Sequence, residues 1–287
     1  MVVSGIFYMG NKRKLINDLV PLFPENINTF YDLFSGSGVV SMNVKAKEYV
    51  LNDIDTNLCI LYGMFSFIPE DKIIMKIEEN IKYFNLPTQR TKEDKELRGQ
   101  YKKGYYKLRD FYNKYKFPLD LYTLTFFSFS QGFRFNHKNE FNLAMGNDCF
   151  SEKNKQYIKD TSTFFKQKNV YCYNQDFSFI QKYELKENDF IYLDPPYFGT
   201  TAHYNESSRP NSWTEEKNNQ LLDMLTDFNN KGVKWGMSNI FKNKNFVNEK
   251  LIKWCEDNNF KVYHLNKKYN CLGTKGINTD EVYICNY

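Results

Sequence analysis

A chain of 287 residues with 18% aromatic residues and a net charge of +5 can bury a sizeable core, as one large α/β domain or as one domain carrying an insertion. No apolar run approaches the ~20 residues that span a bilayer, and no opening stretch has the order of a signal peptide, so a soluble, cytoplasmic enzyme is expected. The six cysteines (Cys59, Cys149, Cys172, Cys255, Cys271, Cys285) are scattered without a Cys-x-x-Cys pair, which argues against a zinc site or a disulfide framework.

Ile6-Phe7-Tyr8-Met9 is a short apolar stretch that turns at Gly10-Asn11 and runs into a predicted helix through Leu15, Ile16, Leu19 and Val20, ended by Pro21 and Pro24. Lys12 and Lys14 stand at the start of that helix, where the helix dipole favours negative charge. Such a position suits a side chain reaching for an anionic ligand group.

Phe30-Tyr31-Asp32-Leu33-Phe34 reads as a strand. Ser35-Gly36-Ser37-Gly38 follows as a turn, and Val39 to Val44 as the opening of a helix. A strand feeding a glycine turn and a helix is the first half of a nucleotide-binding βαβ unit. A second strand, Tyr49-Val50-Leu51, ends in Asn52-Asp53, and the interval from Asp32 to Asp53 matches the ~20-residue spacing of an acid that bonds both ribose hydroxyls. The third glycine that cradles a pyrophosphate is missing, with Val39-Val40 in its region. An adenosine ligand without a diphosphate fits better than a dinucleotide, and S-adenosylmethionine is the obvious candidate.

Residues 56–165 interrupt the alternation of strand and helix. Asp71 to Phe84 and Glu93 to Tyr115 have helical periodicity, Leu119 to Phe129 suits a buried helix, and Gly132 to Gly146 reads as a hairpin about His137-Lys138-Asn139. From Leu86 to Pro118 ten basic residues face four acidic ones, an excess larger than that of the whole chain, with five tyrosines (Tyr101, Tyr105, Tyr106, Tyr112, Tyr115) interleaved. A phosphate-binding footprint is the functional reading and a solvated helix face the structural one.

Strands return at Val170 to Tyr173, Gln175 to Phe177 and Phe190 to Leu193, then at Val233 to Ser238, Lys261 to His264 and Glu281 to Ile284, with a loop from Pro210 to Thr214 and a helix over Leu221, Leu222 and Leu225. Asp176 is expected at a strand's carboxyl end, the edge where open α/β sheets bind ligands. The Phe190 strand stops at Asp194-Pro195-Pro196-Tyr197. Two prolines cannot donate ladder hydrogen bonds, so an acid, a free carbonyl and an aromatic face are held in one stiff turn suited to a flat, amine-bearing ring.

In this order the motifs resemble the Dam-like DNA adenine-N6 methyltransferases of the alpha arrangement, of the phage type: Tyr8-Met9-Gly10-Asn11-Lys12, Phe34-Ser35-Gly36-Ser37-Gly38, an insertion, and then Asp194-Pro195-Pro196-Tyr197. Gly236-Met237-Ser238-Asn239, His264-Leu265-Asn266-Lys267-Lys268-Tyr269 and Thr279-Asp280-Glu281-Val282-Tyr283 extend the likeness. The resemblance implies a Rossmann-like α/β fold, the S-adenosylmethionine-dependent methyltransferase sheet of about seven strands. Its catalytic domain would comprise residues 1–55 and 166–287, and residues 56–165 a mainly helical target-recognition domain carrying the hairpin.

It further implies S-adenosylmethionine as donor, S-adenosylhomocysteine as product, and the 6-amino group of a flipped adenine in double-stranded DNA as acceptor, within GATC or a related short site. Tyr8 and Lys12 would border the cofactor, Phe34, Ser35, Gly36, Ser37 and Gly38 would wrap its methionine part beside Asp32, Asp53 would hold the ribose, and Asp176 with Phe177 would border its adenine. Asp194 would also face the cofactor. In the insertion Phe129, Ser130, Gln131, Gly132, Arg134, Asn136 and Ala144 would meet DNA, with Arg134 in the place of a guanine-reading arginine. Ala144-Met145-Gly146 stands where the family usually has Pro-Phe-Gly, and Gly132 where the phage type carries a larger side chain.

Chemically, the Asp194 carboxylate and the Pro195 carbonyl would accept the amine hydrogens, Pro196 would stiffen the turn and Tyr197 would stack on the base, with no metal required. A monomer is expected, with a cognate restriction endonuclease as a candidate partner. Amino-methyl transfer to cytosine or RNA, or a non-catalytic DNA-binding module of the same fold, are the alternatives.

Overall fold

The computed structural model describes residues 1–8, 10–90, 95–198, 213–265 and 279–287. The first part of the loop expected at Pro210 to Thr214, the start of the helix expected at Glu93, and the His264 to Tyr269 stretch beyond Leu265 lie outside the described residues. In chain order the elements are α1 (Ile16–Leu19), β1 (Ile27–Asp32), β2 (Ala46–Asn52), α2 (Thr56–Phe67), α3 (Glu70–Phe84), α4 (Lys95–Tyr115), α5 (Pro118–Phe127) and α6 (Glu152–Phe165). They continue with β3 (Val170–Tyr173), β4 (Phe190–Leu193), α7 (Glu215–Asn230), β5 (Lys234–Asn243), β6 (Phe246–Val247), α8 (Glu249–Asp257), β7 (Lys261–Leu265) and β8 (Thr279–Cys285).

One sheet has the order β3-β2-β1-β4-β5-β8-β7, with the two-residue β6 attached to β5. The seven main strands match the number expected from the pattern, as does the mixed α/β class. β3, β2, β1, β4 and β5 are parallel, and β8 runs antiparallel to both β5 and β7. The strand period of two sorts the apolar side chains onto opposite faces. Phe30, Phe190, Tyr192 and Tyr283 pack with helices α2, α3, α4 and α5. Ile191, Leu193, Val282 and Ile284 pack with α7 and α8. The apolar cluster of the first face continues without interruption from the sheet into the helical segment between β2 and β3.

Within that segment α4 meets the end of α3 backbone to backbone: a Cβ on Gly104 would lie 1.8 Å from the Phe84 carbonyl oxygen. Tyr101, Tyr105 and Tyr112 of α4 are buried, while Lys102, Lys103, Lys107 and Lys114 are exposed. Most of the interleaved tyrosines therefore build the core, and the lysines carry the charged face.

Four local expectations change. Val39 to Val44 does not open an α-helix; only a 3-10 turn at Ser41–Asn43 forms. Val39 and Val40 are buried, β-branched side chains are poor helix formers, and the Ser41 hydroxyl is used on Asp32 at 2.7 Å. The first predicted helix is broken into 3-10 turns at Lys12–Lys14 and Val20–Leu22 around the four residues of α1, with Pro21 inside the second turn. Gln175 to Phe177 is not a strand, because Asp176 caps a 3-10 helix at Phe177–Lys182 by accepting the Ser178 N–H. The Gly132 to Gly146 hairpin is a loop held by isolated bridges, Ser128 to Met145 and Phe135 to Phe141. The segment turns back about His137-Lys138-Asn139 as expected, with the Asn136 N–H on the Glu140 carbonyl and the Asn142 N–H on the Arg134 carbonyl, but short of a continuous ladder. It is also secured to α4, where Tyr105 donates to the Leu143 carbonyl and Asn113 exchanges two hydrogen bonds with Phe141.

Candidate active site

The chain reverses its direction across the sheet between β1 and β4, so the crevice outside their carboxyl ends is the expected ligand site of an open α/β sheet. Asp32 closes β1, Asp53 follows β2, Asp176 follows β3 and Asp194 follows β4. β8 is antiparallel, and its register with Ile240 brings Glu281 to the same edge. Parallel strand direction thus gathers acids that are far apart in sequence.

The glycine turn is built by that edge. Gly36 has φ +50° and Gly38 φ +71°, a left-handed backbone that glycine adopts without a Cβ penalty. A Cβ on Gly36 would also meet the Tyr8 ring at 3.2 Å. Ser35 donates through its hydroxyl to the Asn52 carbonyl at 2.9 Å, Tyr62 donates to the Gly36 carbonyl at 2.5 Å, and Ser4 donates to the Ser37 carbonyl at 2.6 Å. Asp53 accepts the Gly36 N–H through Oδ2 and the Asp55 N–H through Oδ1, each at 3.0 Å. Each carboxylate oxygen keeps a second lone pair. Burial pushes Asp53 up to about 6, against the pull of those N–H donors. Asn52 was not singled out in the sequence, yet it staples the edge: its amide donates to the carbonyls of Leu33 and Gln175 and accepts the Gln175 N–H.

Asp32 is 1% exposed. Its Oδ2 accepts the Ser41 hydroxyl, and its Oδ1 has no hydrogen-bond partner. Burial pushes its carboxyl up to about 7, with the neighbouring charges of Asp194 and Asp53 adding to the rise and Ser41 opposing it. Phe34 and Phe177 stack at 5.6 Å, and Trp213, also missed in the sequence, stands edge-on to Phe34 at 5.5 Å. The Trp213 indole N–H is buried without a partner. Asp176, held by Ser178 and by Lys217 at 3.3 Å, is shifted below the usual carboxylate range by those donors, which outweigh its partial burial.

At the proline turn, Lys12 is 4% exposed and its ammonium donates to both Asp194 oxygens, at 2.5 and 2.6 Å. The anion within reach of Lys12 is therefore the protein's own acid. Burial raises the Asp194 pKa, Lys12 pulls it back, and Glu281 adds to the rise. Tyr197 donates to Glu281 Oε1 at 3.0 Å, and Lys12 lies 5.0 Å over the Tyr197 ring. Burial holds the Tyr197 phenol well above its ordinary pKa and keeps it a donor. Pro195 is buried and Pro196 exposed.

The loop of the insertion reaches this site through Phe133, whose ring lies 6.1 Å from that of Tyr8. Phe129 is 64% exposed, and Ser130 and Gln131 follow it in left-handed conformations with φ +56° and +51°. Gly132 is buried, and a Cβ there would meet the Leu143 side chain at 2.8 Å. Arg134 is braced by Asn142, donating to its side-chain oxygen at 2.9 Å. Asn136 organises the following turn, accepting the N–H groups of Lys138 and Glu140. Ala144 is exposed, and its carbonyl accepts the Phe129 N–H.

Residues 8–271 match the model of the D12 class N6 adenine-specific DNA methyltransferases, and the chain belongs to that family. It is 36% identical over its whole length to a protein of Streptococcus sanguinis named modification methylase StsI, and 35% identical to the type II methyltransferase M.FokI of Planomicrobium okeanokoites. It spans 43% of the length of each. The DNA adenine methylase of Escherichia coli K12 is 23% identical over 76% of this chain and 73% of its own.

The Asp32 environment has a measurable signature. A carboxyl with a folded pKa near 7 against an ordinary 3.8 resists ionisation in the folded state, so its cost is absent below about pH 4, grows with pH, and is complete above about pH 7. Asp32→Asn removes that cost, and the denaturant midpoint of the variant should exceed that of the parent by more at pH 8 than at pH 5. An identical difference at both pH values would overturn the assignment.

Proposed function

We propose that this chain transfers a methyl group from S-adenosylmethionine to the 6-amino group of an adenine extruded from duplex DNA. The observation that carries the reading is the Asp194 to Tyr197 turn at the β4 carboxyl edge, beside the β1 glycine turn at the reversal point of the sheet.

The donor that the family implies fits the residues present. The unpartnered Asp32 oxygen and Trp213 N–H, the Phe34, Phe177 and Trp213 rings, and the Asp53 carboxylate suit a ligand combining positive charge, a ribose and a flat base. Asp32, Ser35 and the glycine turn would hold its amino-acid end, Asp53 the ribose, and Phe34, Asp176 and Phe177 the base. When bound, the donor supplies an electrophilic methyl on a sulfonium and departs as the neutral thioether.

An adenine amine is a weak nucleophile because its lone pair is delocalised into the ring. Asp194 and the Pro195 carbonyl would each accept one amine hydrogen, drawing the nitrogen toward a tetrahedral shape and turning its lone pair to the methyl. The Tyr197 ring would replace the stacking that the base loses on leaving the duplex. After transfer the nitrogen sheds one proton, and Asp194, with its raised pKa, is the acceptor at hand.

Residues 56–165 are proposed to recognise the target, and residues 1–55 with 166–287 to perform transfer. The exposed α4 lysines offer charge for the phosphate backbone. The loop from Phe129 to Ala144, adjacent to Tyr8, would read the bases, with the Arg134 guanidinium on a guanine edge. Given relatives named as modification methylases, a cognate restriction endonuclease is a fitting partner.

Asp194→Asn keeps the volume but removes the charge and replaces one acceptor oxygen with an amide donor. It should lower methyl transfer to DNA by about two orders of magnitude or more, while donor affinity by calorimetry changes little. Retained turnover contradicts the assignment. Arg134→Ala should cost about 1–3 kcal/mol of discrimination at one base pair, read as the ratio of kcat/KM on the preferred and singly altered duplexes. Uniform weakening on every duplex would indicate a phosphate contact instead.

A further inference from the structure

Glu281 is 3% exposed on a central strand, where a carboxylate is expensive unless its neighbours repay the lost hydration. Val282 and Tyr283, which follow it along the strand, are fully buried core residues. Two groups it meets belong to the proposed reaction centre: the Tyr197 hydroxyl at 3.0 Å and the Lys12 ammonium at 3.7 Å. Lys12 in turn donates to both oxygens of Asp194. A carboxylate held that closely by an ammonium is a poorer acceptor for a neutral amine, and moving Lys12 away unpaired would strand a charge in the core. A second buried carboxylate beside the same ammonium removes that obstacle.

We infer that Glu281 is a positioning residue for methyl transfer: it takes up the Lys12 ammonium and anchors the Tyr197 phenol, so that Asp194 is released to the acceptor amine. The inference rests on the proposed reaction and adds to it the residue that switches its central acid between two partners. No atom of Glu281 enters the bond changes. The nitrogen–methyl bond forms as the sulfur–methyl bond breaks, and the amine proton leaves through Asp194. During this exchange the buried ammonium passes from one carboxylate to the other, so the number of buried charges is unchanged.

The test is a double-mutant cycle in steady-state methyl transfer on adenine-containing duplex DNA, using the full chain. Glu281→Gln preserves an acceptor for Tyr197 and removes only the charge. It should lower kcat by about tenfold or more with KM for DNA nearly unchanged. In the Lys12→Gln background the same substitution should have little further effect, because the ammonium it serves is gone. Glu281→Asp, which restores the charge, should recover part of the loss, and the thermal midpoint of Glu281→Gln should stay close to the parent value. A parental kcat in Glu281→Gln, a loss confined to KM, or a full additive loss in the double variant overturns the inference. A parent chain that transfers no methyl group to adenine overturns the proposed reaction itself, and this assignment with it.

Discussion

The buried contact between Lys12 and Asp194 is the interaction around which the candidate site is arranged. It joins a residue near the start of the chain to one at the end of β4, and it lets an acid remain at the sheet edge with other acids close by. Without a cation there, burial and the neighbouring acid would drive Asp194 further toward its neutral form, as burial above all does to Asp32, whose carboxyl is pushed up to about 7. The sheet reversal supplies the crevice, the proline turn supplies the acid, and Lys12 makes the acid tolerable. Glu281 from β8 and Tyr197 of the proline turn complete the ring of contacts.

Parts of this were legible from residue order. The Phe190 to Leu193 run is apolar throughout and ends at two prolines, so both the buried strand and its stop could be read directly. The glycine turn and the acid after β2 are likewise marked by local chemistry. Glu281 stood in the Thr279 to Tyr283 stretch of the likeness without a role of its own, since the second of two adjacent acids at the start of a strand reads as solvent-facing, and only the antiparallel entry of β8 brings it to the functional edge. Asn52 was hidden for a related reason: its three hydrogen bonds go to loops that follow different strands.

Misreadings arose where tertiary contacts overrode local preference. The apolar run after Gly38 resembles a helix start, but Val39 and Val40 are drawn into the core and Ser41 is bound by Asp32. The segment from Gly132 to Gly146 reverses where its alternation suggests, with Phe135 and Phe141 bridged, but the pairing stops short of a ladder because part of its hydrogen bonding goes to α4. In α4 itself three of the five tyrosines interleaved with the basic residues, Tyr101, Tyr105 and Tyr112, face inward, so the charged outer face and the buried inner face come from one helical periodicity. This arrangement ties the loop beside Tyr8 to a basic helix through shared hydrogen bonds, and this is the support on which the proposed base reading and backbone attraction depend.

The most direct test of the account is nucleoside mass spectrometry of duplex DNA incubated with the purified chain and S-adenosylmethionine carrying a deuterated methyl group. The label should appear in N6-methyladenine. Label on cytosine, or none in DNA at all, would contradict the account.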